Sequence, residues 1–243
     1  MSSYSVPPQA RPAFQPIGSV ARFVVILLAM NAVASLIALL LGRSEIALLQ
    51  RIQSGEVVTE SEITMNDLVV GGFAMVQLLI VLVTVVLFFI WFYRAYYNLA
   101  ALRVSGRKYA AGWAVGWWFI PIANLILPYN IAKEIWQASD PQDLAPEGNA
   151  WRRNSVTPLL GVWWLVWIVS HFADSGYLMA TVAAVTIEEM IAASNIGTVT
   201  DVIDMLSALL ALSVVRAITA RQEQKMARLV YVPPVETPSP YPR

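Results

Sequence analysis

The sequence predicts an all-α protein: an integral membrane helix bundle of four spanning helices, with a broken Trp/Gly/Pro-rich hairpin on the cytoplasmic side. Three observations predict it. Of 243 residues, 58% are hydrophobic and only 13% charged, with a mean hydropathy of +0.60, more apolar surface than a soluble domain of this size can bury. Four stretches, about 23 to 41, 68 to 92, 156 to 178 and 202 to 220, come close to the ~20 apolar residues that cross a hydrocarbon core of roughly 30 Å. Residues 109 to 139 are too apolar for a loop, yet Gly112, Gly116, Pro121 and Pro128 interrupt them too often for one plain spanning helix.

Taken in order, residues 1 to 19 carry four prolines and read as a disordered Pro-rich cytoplasmic tail. A single transmembrane domain follows over 20 to 225. Helix 23 to 41 has no basic n-region before it and no small-residue cleavage site after it, so it reads as a retained anchor. Segment 68 to 92 is the clearest span, free of charge throughout. Its start is signalled by Thr59 and Glu62, spaced as a capping box. Segment 113 to 139 is the hairpin, re-entrant or interfacial. Span 156 to 178 opens with Pro158 in its first turn, where proline is tolerated. Span 202 to 220 follows Thr198 and Asp201, a second cap-like pair. Residues 226 to 243 form another Pro-rich cytoplasmic tail.

Charge counting orients the bundle, because Lys and Arg favour the cytoplasmic loops. If the hairpin crossed, ten of the 16 cations would lie outside. If it enters and returns, fourteen lie inside and only Arg43 and Arg51 outside, with ten acids gathered at the outer end. Four spans with both termini cytoplasmic follow. The halves 20 to 92 and 156 to 220 then form two similar hairpins, either a parallel repeat or the ordinary way of building a small membrane bundle.

The residue inventory excludes several chemistries. There is no cysteine, hence no disulfide, thiolate or palmitoylation site, and His171 is the lone histidine. No HExxH, P-loop or GxGxxG pattern occurs. No catalytic residue, metal site or cofactor is assigned. Acids Glu188, Glu189, Asp201 and Asp204 lack the density of a calcium loop. Asn31, Ser35, Gln77, Thr84 and Ser170 within the spans read as helix–helix glue, and His171, near the outer end of its helix, as a packed or interfacial side chain rather than a proton relay.

The hairpin supplies the candidate site. Pro121 and Pro128 flank Asn124, and each proline frees a carbonyl that the Asn124 amide can meet, either as a cap or as part of a site for a cation or polar solute. Arg94 and Asn98 share a helical face where the second span leaves the membrane and are expected to meet the hairpin. Trp117 and Trp118, with Trp113, would float the hairpin at headgroup depth or form an aromatic box.

Tyr93-Arg94, Asn98-Leu99, the run Gly112 to Asn124, Pro128-Tyr129 and Glu134-Ile-Trp136, together with the closing segment Val215 to Gln222, resemble the bacterial, mostly actinobacterial, membrane family catalogued as domain of unknown function 4328. The resemblance covers roughly 20 to 225. It implies a multi-pass protein of the bacterial cytoplasmic membrane and carries no activity with it. The functional expectation is therefore a non-enzymatic scaffold or regulatory protein acting through the hairpin. A small solute or ion transporter or channel subunit is the alternative, and a membrane enzyme the remote one. Expected partners are the lipid bilayer and either further copies of the chain or another membrane protein, not nucleic acid.

Overall fold

The computed structural model describes residues 12 to 144 and 148 to 230. The described residues are helical throughout, without strands. Helix α1 (Gly18–Gln53) and α2 (Glu60–Ala101) form the first long hairpin. The Thr59 hydroxyl accepts from the Glu62 amide at 3.2 Å, so α2 starts at the capping box read from sequence. It ends at Leu102, with Arg103 left-handed at φ 63° while the amides of Arg103 and Val104 return to the carbonyls of Ala100 and Leu99. This is a Schellman ending built without the usual glycine. Helix α3 (Trp113–Gly116) runs into 3-10 turns at Trp117–Phe119 and Ala123–Leu125, and then into α4 (Leu127–Ala138). Helix α5 (Pro158–Ala183) is capped by Thr157 with Pro158 in its first turn, and α6 (Ile187–Val230) returns beside it.

The four long helices pack in the order α2, α1, α6, α5, with α1 and α6 at the centre. Gly18 lies against Glu223, Gly42 against Thr198, and Gln53 bonds Glu188, so α1 and α6 run antiparallel in one register over their whole length. Small residues permit the approach, among them Ala21, Ala32, Ala193 and Ala208, all buried. At Gly197 an added Cβ would sit 2.8 Å from the Tyr177 ring of α5. The apolar core gathers at one end of the bundle, where Trp91, Phe92, Leu99, Ile131, Ile135 and Ile218 are buried together with the 113–138 segment. We call this the hairpin end and the opposite one the far end.

Elsewhere the apolar residues face outward. Phe23, Leu40, Leu79, Leu82, Val86 and Leu165 are exposed, the pattern of a surface solvated by lipid. By length and composition α1, α2 and α6 can cross a membrane, or four units if the bent pair Trp113–Phe119 and Ala123–Ala138 is one span. Helix α5, expected as a span, is not among these. It is long enough at 26 residues, but its tryptophans, His171 and Asp174 dilute its hydropathy.

Several boundaries differ from the sequence reading. Gln15 and Ile17 of the expected N-terminal tail enter the fold, Ile17 fully buried, because an isoleucine beside the helix start finds an apolar slot. Residues 1 to 11 and 231 to 243 lie outside the described residues, while 226 to 230 continue α6. That helix begins at Ile187 rather than near 202. Its cap is Thr186, whose hydroxyl takes the Glu189 amide while the Glu189 carboxylate takes the amides of Val185 and Thr186. Thr198 instead donates to the Ser194 carbonyl, mid-helix. A parallel repeat would demand that α2 meet α5 as α1 meets α6. The two do not pack together, so the halves are not related by a two-fold axis.

Candidate functional site

The chain turns by 120° between Phe119 and Ala123. At the apex Ile122 has φ 67°, and Ala123 N donates to Pro121 O at 2.8 Å, a γ-turn of the rarer hand that a β-branched residue adopts only under strain. Most backbone carbonyls between Trp117 and Ile126 are taken up, and Trp117 O, four residues before Pro121, accepts from Ile120 N at 3.5 Å. Ile120 O accepts from Asn124 N, Ile122 O from Leu125 N and Ala123 O from Ile126 N. Leu125 O accepts from Trp164 Nε1 of α5 at 2.9 Å. The hairpin therefore closes on itself and is pinned to α5.

Trp118 is the wedge that holds it. Its ring lies 5.7 Å from Phe88 and from Phe89 of α2, and 5.7 and 5.3 Å from Trp164 and Trp167 of α5. One side chain thus bridges two helices that hardly pack against each other. Edge-on ring pairs at this spacing contribute about 0.5 to 1.5 kcal/mol each beyond area burial. Trp117 stacks on Trp113 at 4.2 Å. The Nε1 atoms of Trp117 and Trp118 are both buried without a partner among the described residues. The rings are packed against one another rather than arranged round an empty box.

Behind the hairpin lies a buried polar network that joins α2, α4, α6 and the segment before α1. Asn98 clasps the backbone of Gln15, accepting from its amide and donating to its carbonyl at 2.8 Å each. Gln222 Nε2 donates to Ala95 O at 2.7 Å and to Ser139 Oγ at 3.1 Å. Trp91 Nε1 donates to Thr219 Oγ1. Lys225 is fully buried, its ammonium donating to Ala138 O at the end of α4 at 2.7 Å. It lies past the apolar stretch 202 to 220, and burial lowers its pKa against the pull of Asp143 and Asp140. The Tyr96 hydroxyl donates to Glu134 Oε1 and accepts from Tyr109 N, and burial raises its pKa. Lys108 N also donates to that Glu134 oxygen. On the surface, Arg221 pairs with Asp140 at 3.2 Å and lies over Trp136.

The sequence-predicted residues therefore separate. Trp117, Trp118, Pro121, Asn124 and Pro128 share the hairpin, Pro128 buried in the first turn of α4 and Pro121 exposed. Asn124 is half-buried and neither caps α4, whose N-cap is Ile126 without a side-chain bond, nor makes a side-chain bond among the described residues. Asn98 turns away from the hairpin to Gln15 and Gln222, because its face of α2 looks toward α1 and α6. Arg94 is half-buried without an ion pair among the described residues. Tyr96, Ser139 and Lys225 were not singled out by sequence, and Glu134 only as part of the motif Glu134-Ile-Trp136. The signal was available in Gln222 and Lys225, two polar side chains three apart that follow an apolar helix and face the same way.

Two clefts complete the picture. At the hairpin end a polar cleft of about 190 Å³ is bordered by Lys108, Lys133, Glu134 and Arg152. Between α2 and α5 a larger one of about 340 Å³ has Trp118 at its floor and Asp174 and Asp204 toward the far end. The acids suggested for a cation do not converge. Glu189 is spent on the α6 cap and Glu188 on Gln53, about 18 Å along the helix from Asp201. Among the described residues no group of three such ligands comes together.

No curated protein and no solved structure matches the chain. One family model does, over residues 54 to 220, from the loop before α2 to the middle of α6. Its span includes the hairpin, the Trp118 wedge and α4, and stops two residues short of Gln222. That match covers well over half the chain, which therefore belongs to the family described as "Domain of unknown function (DUF4328)".

Proposed function

We propose that this is a non-enzymatic, multi-pass protein of the bacterial cytoplasmic membrane that serves as a scaffold or regulator, presenting the face built by its hairpin and α4. In this reading α5 is the remaining span, both termini are cytoplasmic and the hairpin end faces the cytoplasm, where its basic residues are favoured. The observation that carries the reading is the closure of the hairpin: most of its carbonyls are taken up by its own backbone and, at Leu125, by Trp164. Irregular backbone that lines a permeation path keeps its carbonyls free for the solute. The titratable groups behind it are likewise engaged, Glu134 by Tyr96 and Lys108 and Lys225 by Ala138. Such groups hold a surface in shape rather than move protons for a reaction. The cleft bordered by Lys108, Lys133 and Arg152 gives that surface a place for a partner's acidic group.

A crosslinker placed at Lys133→Cys in intact membranes tests the reading. The expected result is a discrete adduct of higher mass that disappears when Lys108 and Arg152 are changed to Glu. Absence of an adduct, combined with solute uptake by proteoliposomes of the pure protein, would overturn it. The second reading, a small transporter, is favoured by one observation: the cleft between α2 and α5 reaches from the hairpin to acids near the far end.

A further inference from the structure

The cleft between α2 and α5 has a wall whose polar groups want something they do not have. Its back is the seam of α1 and α6, where Ser35 and Ser207 meet in register, 3% and 8% exposed. Other helix hydroxyls here turn back to the carbonyl four residues earlier, as Thr200 and Ser213 do. Ser35 and Ser207 do not, and neither has a hydrogen-bond partner among the described residues. Asn31 spends its amide on Leu27 O and Thr84 Oγ1, and its carbonyl oxygen is buried with no donor to meet it. Asp174 of α5 and Asp204 of α6 border the same space, their carboxyl groups within hydrogen-bond reach of each other.

Of these groups the Asn31 oxygen can only accept and the two acids are carboxyls, while the hydroxyls of Ser35 and Ser207 and the Gln77 amide beside them can both accept and donate. Among the described residues that border the cleft there is no Lys, Arg or His. The buried Asn31 oxygen and the paired carboxyls favour an occupant that brings hydrogen-bond donors and positive charge. The other end of the cleft asks for something different, since Trp118, Trp167, Phe88 and Phe89 present ring faces and edges there. A bare metal ion would leave that apolar volume unused, whereas a cleft of about 340 Å³ falls in the range that holds small organic ligands. Because α2 and α5 do not pack together, the cleft opens sideways, toward lipid in a membrane.

We propose that this cleft binds an amphipathic organic amine that enters from the bilayer, with its ammonium at Asp174, Asp204 and Ser207 and its apolar body against Trp118 and Trp167. The site lies apart from the hairpin face assigned to partners, and it stands or falls independently of that assignment. Aromatic rings add cation–π attraction where the charge approaches them, and exclusion of water strengthens the carboxylate contact.

The test uses the full chain in lipid nanodiscs, titrated calorimetrically with 4-phenylbutylamine and, separately, with the neutral 4-phenylbutanol, after subtraction of empty discs. The expected result is saturable one-to-one binding of the amine, at least tenfold tighter than the alcohol. Asp204→Asn should weaken the amine tenfold or more and leave the alcohol unchanged, and Ser207→Ala should weaken the amine severalfold. Equal binding of amine and alcohol, or amine binding that survives Asp174→Asn combined with Asp204→Asn, overturns the proposal. If the asparagine variants do not fold, Ser207→Leu places an apolar side chain beside the acids and must abolish amine binding. Retention of binding in that variant overturns it equally.

Discussion

Lys225 gives the sharpest perturbation, because its two halves do different things. Its methylenes fill space between α6 and α4, and its ammonium serves the Ala138 carbonyl at 2.7 Å with no solvent exposure. Lys225→Ala removes three methylenes at about 0.8 kcal/mol each. It also strands a helix-terminal carbonyl at about 1 to 3 kcal/mol. Because removing the buried charge offsets the carbonyl cost, the net loss should be about 2 to 3 kcal/mol, set by the lost methylenes. Lys225→Met strands the same carbonyl but keeps most of the volume and removes a buried charge, whose desolvation opposes folding by a similar amount. It should remain within about 1 kcal/mol of the parent. The pH dependence follows with its sign. Burial lowers the folded-state pKa below the ordinary 10.5, so the unfolded chain holds the proton more tightly and protonation opposes folding at neutral pH. Stability should rise as pH climbs from the folded value toward 10.5, and Lys225→Met should flatten that rise. Equilibrium unfolding in detergent micelles measures all of this. If Met destabilises as much as Ala, and the alkaline rise persists in Met, the reasoning is refuted.

Other substitutions test other parts of the fold. Arg103→Gly should stabilise by up to about 1 kcal/mol, since a left-handed helix end prefers glycine. Ile122→Gly should likewise raise the unfolding midpoint by releasing the γ-turn strain, about 1 kcal/mol or more. A fall in either midpoint would argue against those backbone conformations. Gly197→Ala should destabilise by about 1 to 2 kcal/mol despite the ~1 kcal/mol helix-propensity gain, because its Cβ would meet Tyr177 at 2.8 Å. For topology, Lys133→Cys should react with an impermeant thiol reagent only in inverted vesicles and Val57→Cys only in intact cells. The opposite pattern would invert the bundle.

Much of the fold was legible because lipid imposes a simple ruler. The apolar lengths marked α1, α2 and α6, and Thr59 and Pro158 fixed the starts of α2 and α5 by local chemistry. What was missed is where polar sequence remains helical. Residues 43 to 53 and 187 to 201 look like loops to a hydropathy window, yet they pair α1 with α6 in one continuous register. The hairpin was visible in its Gly and Pro punctuation, but not its interior. Two prolines around Asn124 suggest free acceptors, and only three-dimensional placement shows that local amides and Trp164 Nε1 take up most of the carbonyls of the turn. Asn98 was visible as an unusual residue, though its partner Gln15 lay in a segment whose prolines suggested disorder. Asp174 and Asp204 read as outer-end acids in separate helices. Their meeting beside Ser207 depends on how α5 packs on α6, which periodicity does not encode.

The closed hairpin is the centre of the account, and the chain's lack of cysteine makes it directly testable. Asn124→Cys as the only thiol should resist an impermeant maleimide from both sides of the membrane, since the neighbouring Ile122 and Ile126 tip is exposed and apolar, suited to lipid, and most carbonyls of the turn are taken up within it. After solubilisation and unfolding the same thiol should react fully. Rapid labelling in inverted vesicles would instead put water beside Asn124, contradicting the closed hairpin and moving the protein toward the transport reading.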